Sequence, residues 1–426
     1  MKRYVVLFIA LLASGAVWAQ DFDNRPSINI ENKKEDLKFT IGARFMADVA
    51  YYHADNYKMK SGAAITDARI RTSMTYKDWY FYADFDFSKG KFSQKNIFLR
   101  HTFQLDNASH VLRVGYFNNP ATMANNTSRG SLHFISRAAP VQALAPGREL
   151  GINYQFYNQQ FLLSQGVFAE NKYNDQLSGF QGFTLGGRWV WRPITKKYQT
   201  LHIGGSFRFA KICTGLTVNG VLKTNLDLGT SLETYVDPAV KFLSKSMPWA
   251  KRDYFAGAEF LYTYKKMFVR GEYLFRHVNK SRDDKAVFEG QLETEDAIKD
   301  FEEWQKANPL SNDSFHGGYV EGGYRFIGDH YTYGSSDGVL KGLGGKTLEG
   351  VVRYSFLNLE GSDVSTENNM NTLFNSGQMH SATFGANYSF NKYVQLLFSY
   401  TYTHLKSRVF AESNFNTLQA RITFQF

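Results

Sequence analysis

Arginine recurs in this sequence at positions where its chemistry would matter. Arg69 and Arg71 flank a single isoleucine, and Arg44 stands between Ala43 and Phe45. A guanidinium group stays charged at physiological pH and presents paired N–H donors that match the oxygens of phosphate or carboxylate. These arginines could therefore coordinate small oxyanions, provided that they share one face of the molecule and meet water.

The segment 107–148 adds to this positive charge. It contains no Asp or Glu, although the whole chain has 39 acids among 426 residues. An arginine without a nearby carboxylate keeps its electric field for a passing ion, whereas a paired arginine is largely neutralised. If this segment folds into a channel, it forms an anion-selective constriction. If it stays outside, it is only a basic surface. Its basic residues are Arg113, Arg129, Arg137 and Arg148, with His110 and His133.

Many of these arginines lie in segments where apolar and polar residues alternate. Successive side chains of a β-strand point to opposite faces, so alternation gives one face for lipid and one for water. The last segment has Leu418, Ala420, Ile422, Phe424 and Phe426 on its apolar face. The pattern can be followed back to Lys38, and it predicts sixteen strands. We place them at 38–50, 65–77, 78–88, 95–105, 110–118, 149–157, 160–169, 181–192, 198–211, 253–264, 266–277, 316–328, 346–358, 379–390, 393–404 and 414–426.

The connections between the predicted strands alternate in length. Those after odd-numbered strands are long, and those after even-numbered strands are short, apart from 329–345. An outer-membrane barrel has short turns on its periplasmic side and long loops outside. A soluble two-sheet sandwich would show no such alternation. We therefore predict an all-β fold, a transmembrane antiparallel β-barrel of about 16 strands, with both chain ends on the periplasmic side.

If the apolar faces meet lipid, arginine recurs among the residues that point inward. An arginine facing lipid near the midplane would cost roughly 2–4 kcal/mol. Acids such as Asp84, Asp86 and Glu272 also point inward. Any single arginine could therefore instead form a salt bridge within a mixed polar interior. The inward arginines are Arg44, Arg69, Arg71, Arg100, Arg113, Arg188, Arg208, Arg270, Arg276, Arg325, Arg353 and Arg421.

The N-terminal residues are typical of a secretory signal peptide. Lys2 and Arg3 precede an apolar run, and Ala19 lies at the usual cleavage spacing. The run is shorter than the roughly 20 residues of a transmembrane helix. We predict a signal peptide at 1–19, a periplasmic segment at 20–37 and the barrel at 38–426. Export directs the chain away from nucleic acid, so the net charge of +10 does not imply a nucleic-acid partner.

Five short stretches follow one another along the chain: Gly42-Ala-Arg-Phe, Asp67-Ala-Arg-Ile-Arg, Val114-Gly-Tyr-Phe leading to Pro120, Ser128-Arg129 and Leu144-Ala-Pro-Gly-Arg-Glu-Leu-Gly151. In this order they resemble the phosphate-selective porins of the O and P type. The resemblance implies a homotrimer in the outer membrane of a Gram-negative bacterium, with the third loop, 119–148, folded into the lumen. It also implies anion conduction past Arg44, Arg69 and Arg71 in the wall and Arg129, Arg137 and Arg148 in or beside the loop.

The sequence thus predicts a porin for passive diffusion of small anions, phosphate or polyphosphate among them. We expect no enzymatic reaction, no cofactor and no metal site. The expected partners are outer-membrane lipid, small anionic solutes, and the barrel-assembly machinery through the terminal Phe426. Two alternatives stay open. A general or sugar porin would use inward aromatics such as Tyr80, Tyr82 and Tyr319, and a surface-exposed binding or assembly barrel would keep its lumen plugged.

Overall fold

The computed structural model describes residues 27–57, 59–171, 181–218, 220–288, 292–361, 376–407 and 411–426. The predicted signal peptide lies outside these residues, as does the start of the predicted periplasmic segment. In chain order the strands are β1 Ile28–Asn32, β2 Leu37–Ala54, β3 Gly62–Tyr76, β4 Trp79–Asp86, β5 Ser93–Leu105, β6 Ala108–Asn118, β7 Arg148–Tyr157, β8 Phe161–Ala169, β9 Phe183–Lys196, β10 Gln199–Lys211, β11 Gly215–Val218, β12 Val221–Thr230, β13 Leu243–Pro248, β14 Ala250–Tyr264, β15 Met267–Lys280, β16 Asp313–Ile327, β17 Tyr333–Gly334, β18 Val339–Leu340, β19 Thr347–Asn358, β20 Gly377–Ser389, β21 Val394–Ser407 and β22 Ala411–Gln425.

Sixteen of these strands, β2–β10, β14–β16 and β19–β22, form one antiparallel sheet that closes on itself. Closure occurs because β2 pairs with β22 as well as with β3. The C-terminal Phe426 completes the seam, since its N–H and C=O both bond the backbone of Ala43, at 2.9 and 2.7 Å. The predicted barrel of about 16 strands is confirmed, and each predicted strand overlaps an observed one within a few residues.

Side-chain exposure follows the period of two. In β19, Val352 is 52% exposed on the outer face, whereas its neighbours Val351 and Arg353 are 3% and 5% exposed inside. The arginines predicted to point inward likewise turn away from the apolar outer face, as the cost of placing them in lipid requires. Arg192, which the sequence pattern did not single out, is the most buried of the described arginines at 1% exposure, followed by Arg44, Arg188, Arg270, Arg325, Arg353 and Arg421.

The interior is not polar throughout. Near the long-loop end, β14–β22 turn apolar side chains inward, among them Leu274, Phe315 and Phe415, each with 0% exposure. They pack against two of the long connections, residues 119–147 (loop 3) and residues 212–249 (loop 5). This apolar cluster gives the loops a core to bind, and it anchors them inside the barrel by the hydrophobic effect.

Helices are few and short, and they lie in the connections. They are α1 Met123–Asn126, α2 Ala139–Leu144, α3 Asp284–Val287 and α4 Glu295–Ala307. The longest of them, α4, is mostly exposed, and Thr294 caps it by accepting from the Ala297 N–H. None of the helices in the described ranges is both long and apolar enough to cross a membrane.

A charge placed on the outer face of β19 should destabilise the barrel. Val352→Arg should lower the free energy of unfolding by roughly 2–4 kcal/mol, because the side chain would lie in hydrocarbon near the middle of a strand. The measurement is urea unfolding in lipid vesicles, with Val352→Leu as the matched control. Equal stability of the two variants would mean that this face of β19 does not meet lipid.

Candidate functional site

Loop 3 lies inside the barrel, where carboxylates hold its backbone. The N–H groups of Met123 and Ala124 donate to Glu272 of β15 at 2.6 and 2.9 Å, and that of Ala139 donates to Glu233 of loop 5 at 2.8 Å. These amides begin α1 and α2, so they have no partner within the helix. The two acids are thus engaged with the loop backbone rather than exposed to the water of the lumen.

Small side chains let loop 3 pack closely against the wall. Val141 and Leu144 of α2 are buried in the apolar cluster. Gly317 of β16 leaves room for the loop, because a Cβ there would come within 2.8 Å of the Pro140 Cβ. At the end of α2, Arg276 donates to the Leu144 carbonyl at 3.1 Å. The loop is therefore anchored at both ends of α2.

A second element enters the lumen from the opposite end. Residues 328–346, the inner turn, connect β16 to β19 on the side of the short turns and include β17 and β18. The carbonyls of Asp337 and Gly338 accept from Arg188 of β9, both at 2.7 Å. Leu340 of the turn belongs to the same buried cluster as Phe134 of loop 3. The inner turn and loop 3 therefore meet inside the barrel.

One buried carboxylate ties both insertions to the wall. Glu349 of β19 accepts from the Tyr331 hydroxyl of the inner turn at 2.8 Å. Its other oxygen lies 2.8 Å from Nδ1 of His133 in loop 3 and accepts from Asn387 at 2.8 Å. His133 is thus a packing residue of the loop and does not line the cavity.

The sequence pattern singled out 329–345 only by its length, and its position inside the barrel was missed. A usable signal was the presence of Val339, Leu340 and Leu343 in a connection on the short-turn side. The segment Gly334–Gly338 also has the Gly-x-Ser-x-Gly spacing of hydrolase nucleophiles. It lies in the hairpin of β17 and β18, however, and not between a strand and a helix as that chemistry requires.

Loop 3, the inner turn and the wall from β2 to β9 enclose a cavity of about 370 Å³. The structure brings all seven predicted anion-path arginines to this cavity, together with Arg188 and Lys341. Among the described residues that line it, the acids are Asp84 and Asp337. The seven arginines are Arg44, Arg69, Arg71, Arg113, Arg129, Arg137 and Arg148.

Three of these arginines share one carboxylate. Asp67 of β3 is fully buried and accepts from Arg44 at 2.9 Å through both of its oxygens. Arg69 lies 3.0 Å from the same carboxylate, and Arg129 of loop 3 lies 3.6 Å from it. The expectation that the loop arginines lack nearby carboxylates is therefore wrong for Arg129, because the wall supplies an acid that the loop sequence lacks. Arg69 also lies 2.9 Å from Asp84. Two carboxylates among three guanidinium groups still leave a positive excess.

Three others are held by neutral acceptors. Arg71 donates to backbone carbonyls at 3.3 and 3.2 Å, Arg137 to carbonyls at 3.0 and 2.8 Å, and Arg148 to an amide oxygen at 2.7 Å. Such acceptors fix the position of a guanidinium group without cancelling its charge. The acceptors are the carbonyls of Ala43 and Phe426 for Arg71, the carbonyls of Ala124 and Thr127 for Arg137, and the side-chain amide oxygen of Asn96 for Arg148. Arg148 is the first residue of β7, so it belongs to the wall and not to the loop.

Loop 5 contributes a residue that the sequence did not indicate. The ring centre of Tyr235 lies 3.7 Å from the Arg129 guanidinium and 5.6 Å from that of Arg421. Burial opposes ionisation of this phenol, but Arg129, Arg137 and Arg421 together lower the pKa of Tyr235. Burial also lowers the pKa of Arg129 to about 10, which still leaves it charged at neutral pH. The cavity is thus strongly positive.

Of the remaining inward arginines, Arg100 lies over the Tyr80 ring, 4.4 Å from its centroid, and the other seven follow the salt-bridge alternative. Arg270 lies 2.6 Å from Glu321, and Arg421 lies 2.6 Å from Asp48. These paired groups stabilise the wall and are largely neutralised. The others are Arg188 with Glu259, Arg208 with Glu149 and Asp253, Arg276 with Asp253, Arg325 with Glu349, and Arg353 with Glu233 and Glu321.

A closed sixteen-stranded barrel with an apolar outer face and a cationic cavity inside is the architecture of an outer-membrane porin. The chain matches the family described as phosphate-selective porin O and P over residues 39–426, and it belongs to that family. Family and fold are those of channels rather than enzymes, and they support the outer membrane of a Gram-negative bacterium as the location.

Solved porins share the fold at low sequence identity. OmpT of Vibrio cholerae aligns with a TM-score of 0.52 and 10% identity, over 93% of this chain and 100% of that chain. The anion-selective porin from Comamonas acidovorans aligns with a TM-score of 0.52 and 11% identity, over 91% of this chain and 100% of that chain. OprB of Pseudomonas putida aligns with a TM-score of 0.52 and 9% identity, over 91% of this chain and 94% of that chain. Comparison with curated proteins gave no match.

Removing the carboxylate that holds α1 should loosen the start of loop 3. Glu272→Ala should speed hydrogen exchange of the Met123 and Ala124 amides by about tenfold or more, since a hydrogen bond to a charged group contributes about 1.5–3 kcal/mol. Exchange mass spectrometry of the peptide 121–127 measures this. Glu272→Gln, which keeps one acceptor oxygen, should show a smaller effect. Unchanged exchange in the Ala variant would contradict this anchoring.

Shortening the inner turn should widen the path. Replacing residues 329–345 by Asn-Gly, which favours a tight hairpin, removes the segment that contacts Arg188 and loop 3. Single-channel conductance should rise because that volume becomes water. A matched control removes residues 295–307 of the exposed helix α4, and its conductance should equal that of the unmodified protein. A shortened-turn variant with unaltered conductance would show that the turn lies off the path.

Proposed function

We propose that this porin passes small anions by passive diffusion, phosphate and polyphosphate among them. The observation that carries the proposal is the convergence of seven arginines on one cavity whose described acidic lining residues are Asp84 and Asp337. The family name supports anion passage. The Comamonas acidovorans porin, described as anion-selective, is similar in fold.

The mechanism is replacement of hydration by guanidinium donors. An ion entering the cavity loses water and gains charge-assisted hydrogen bonds, which are stronger than bonds between neutral groups. The arginines come from both walls of the cavity, with Arg71 and Arg148 on strands and Arg129 on loop 3. Because the positive charge is distributed along the path, no single site binds the ion so tightly that it cannot leave.

The acids inside the barrel are arranged so that they do not cancel this field. Glu272 and Glu233 are hydrogen-bonded to backbone amides of loop 3, and Glu233 also pairs with Arg353. Asp337, at the edge of the cavity, has its pKa raised by burial, an effect that Lys341 offsets only in part. Its carboxylate lies 3.1 Å from the ammonium group of Lys341, which offsets its charge.

We also propose that the protein assembles as a homotrimer after its signal peptide is removed. One OmpT structure of similar fold is described as a trimer form, which supports a homotrimer here. The N-terminal pattern supports removal of residues 1–19 as a signal peptide. The terminal Phe426, paired with Ala43 at the seam, would be read by the barrel-assembly machinery and then lie against outer-membrane lipid.

A plugged binding or assembly barrel is the second candidate. It is favoured by the meeting of loop 3 and the inner turn, since Phe134 and Leu340 belong to one buried apolar cluster within the lumen. Such a barrel would show no steady conductance in a planar bilayer. A porin shows steady conductance, and a sugar porin would conduct without preferring anions, with oligosaccharide and not phosphate reducing its current.

Selectivity measured in planar bilayers tests the anion proposal. Reversal potentials in a KCl gradient should show preference for chloride, and added phosphate should reduce the chloride current. Arg71→Gln with Arg148→Gln should lower the anion preference by about thirtyfold, since two unit charges contribute about 1 kcal/mol each at 4 Å even in water and about 1.4 kcal/mol is tenfold.

Arg252→Gln is the control for net charge, because Arg252 is exposed and lies outside the cavity. It should leave the reversal potential unaltered. Cation preference in the unmodified protein would refute the proposal. Retention of the full anion preference in the double variant would show that ions do not pass these two arginines.

A further inference from the structure

We propose that the arginine cavity prefers organic anions that carry an aromatic ring, and that Tyr82 provides the surface on which the ring stacks. This inference rests on the proposed anion passage and names the class of solute that the same site selects. The chemistry is that of a phosphate or carboxylate group attached to an aryl ring, such as an aryl phosphate or an aryl carboxylate.

The cavity has an aromatic side as well as a cationic one. Besides Tyr235 of loop 5, four rings of the barrel wall line it, those of Tyr80, Tyr82, Phe98 and Phe117. The Tyr82 ring stacks near Tyr80, with centroids 6.2 Å apart and planes 18° apart. It also stacks near Phe98, at 5.4 Å and 27°. Phe98 meets Phe117 edge to face at 6.0 Å. The four rings form a continuous shelf at the cavity wall.

The shelf lies beside the arginines because of the β3–β4 pairing. Ser73 is opposite Tyr82, and Arg71 is opposite Asp84, two residues further along β4. Arg71 and Tyr82 are therefore diagonal neighbours on the inward face, at a separation of about 7–8 Å. A small molecule whose anionic group is joined directly to an aromatic ring spans about that distance. One such molecule can therefore contact Arg71 and Tyr82 together.

A hydrated inorganic anion gains little from such a shelf. The face of an aromatic ring carries partial negative charge, so it does not attract an anion. Some of the rings hold arginines, since Arg100 lies 4.4 Å from the Tyr80 centroid and Arg113 lies 4.9 Å from that of Phe98. Tyr82 lies between Tyr80 and Phe98, is half-buried, and lines the cavity through which an ion would pass.

Block of chloride current in planar bilayers by two phosphate monoesters of equal charge tests the inference. Phenyl phosphate should block the full-length protein at a concentration about tenfold lower than methyl phosphate, because ring stacking adds to the shared contacts with arginine. Tyr82→Ser should bring the two blocking concentrations together. Tyr82→Phe, which keeps the ring and removes only the hydroxyl, should retain the preference for phenyl phosphate.

Each outcome bears on one claim. Equal block of the unmodified protein by both esters, with anion preference in KCl intact, would overturn the aryl inference and leave the anion channel standing. A phenyl preference that survives in Tyr82→Ser would also overturn it, because the ring would then bind elsewhere. Absence of anion preference in KCl would instead refute the proposed function. If Tyr82→Ser does not fold, Tyr82→Leu keeps the volume without the aromatic face and gives the same comparison.

Discussion

The hydrogen bonds between buried carboxylates and the backbone of loop 3 are the interactions on which the rest of the structure depends. A buried carboxylate is costly unless it is hydrogen-bonded, and the amides at a helix start need acceptors. Glu272 and Glu233 meet both needs at once. These bonds keep loop 3 inside the barrel. They also occupy Glu272 and Glu233 with the loop backbone, away from the wall that carries the cavity arginines. The arginines on that wall therefore face the water of the cavity with few competing charges.

Asp67 has a comparable anchoring role among the arginines of the cavity. Guanidinium groups that converge on one site repel each other, so loop 3 could not bring Arg129 close to Arg44 and Arg69 without a shared anion. Asp67 holds the three groups, at distances from 2.9 to 3.6 Å. Together with Asp84, which lies 2.9 Å from Arg69, it neutralises them only in part. The remaining positive charge acts on ions that enter the cavity, which links the stability of the constriction to its electrostatic field.

Insertions from both ends of the barrel determine the shape of the path. Loop 3 and loop 5 enter from the long-loop side, and the inner turn enters from the side of the chain ends. The apolar cluster that includes Leu340 of the inner turn and Phe134 of loop 3 holds these two insertions together, and carbonyls of the turn orient Arg188. The wall supplies rigid positions for side chains, while the insertions decide which of these positions remain accessible to a solute.

The sequence by itself determined the barrel, because a strand between lipid and water must alternate its side chains, and this local period of two can be read without knowledge of contacts. It also determined that Arg44, Arg69 and Arg71 point inward. The cavity was decided only by the tertiary structure. Tyr235 meets Arg129 from a distant loop, Asp67 is shared between a strand and loop 3, and the inner turn folds into the lumen. Such contacts join residues far apart in the chain through packing and leave no periodic signal in it.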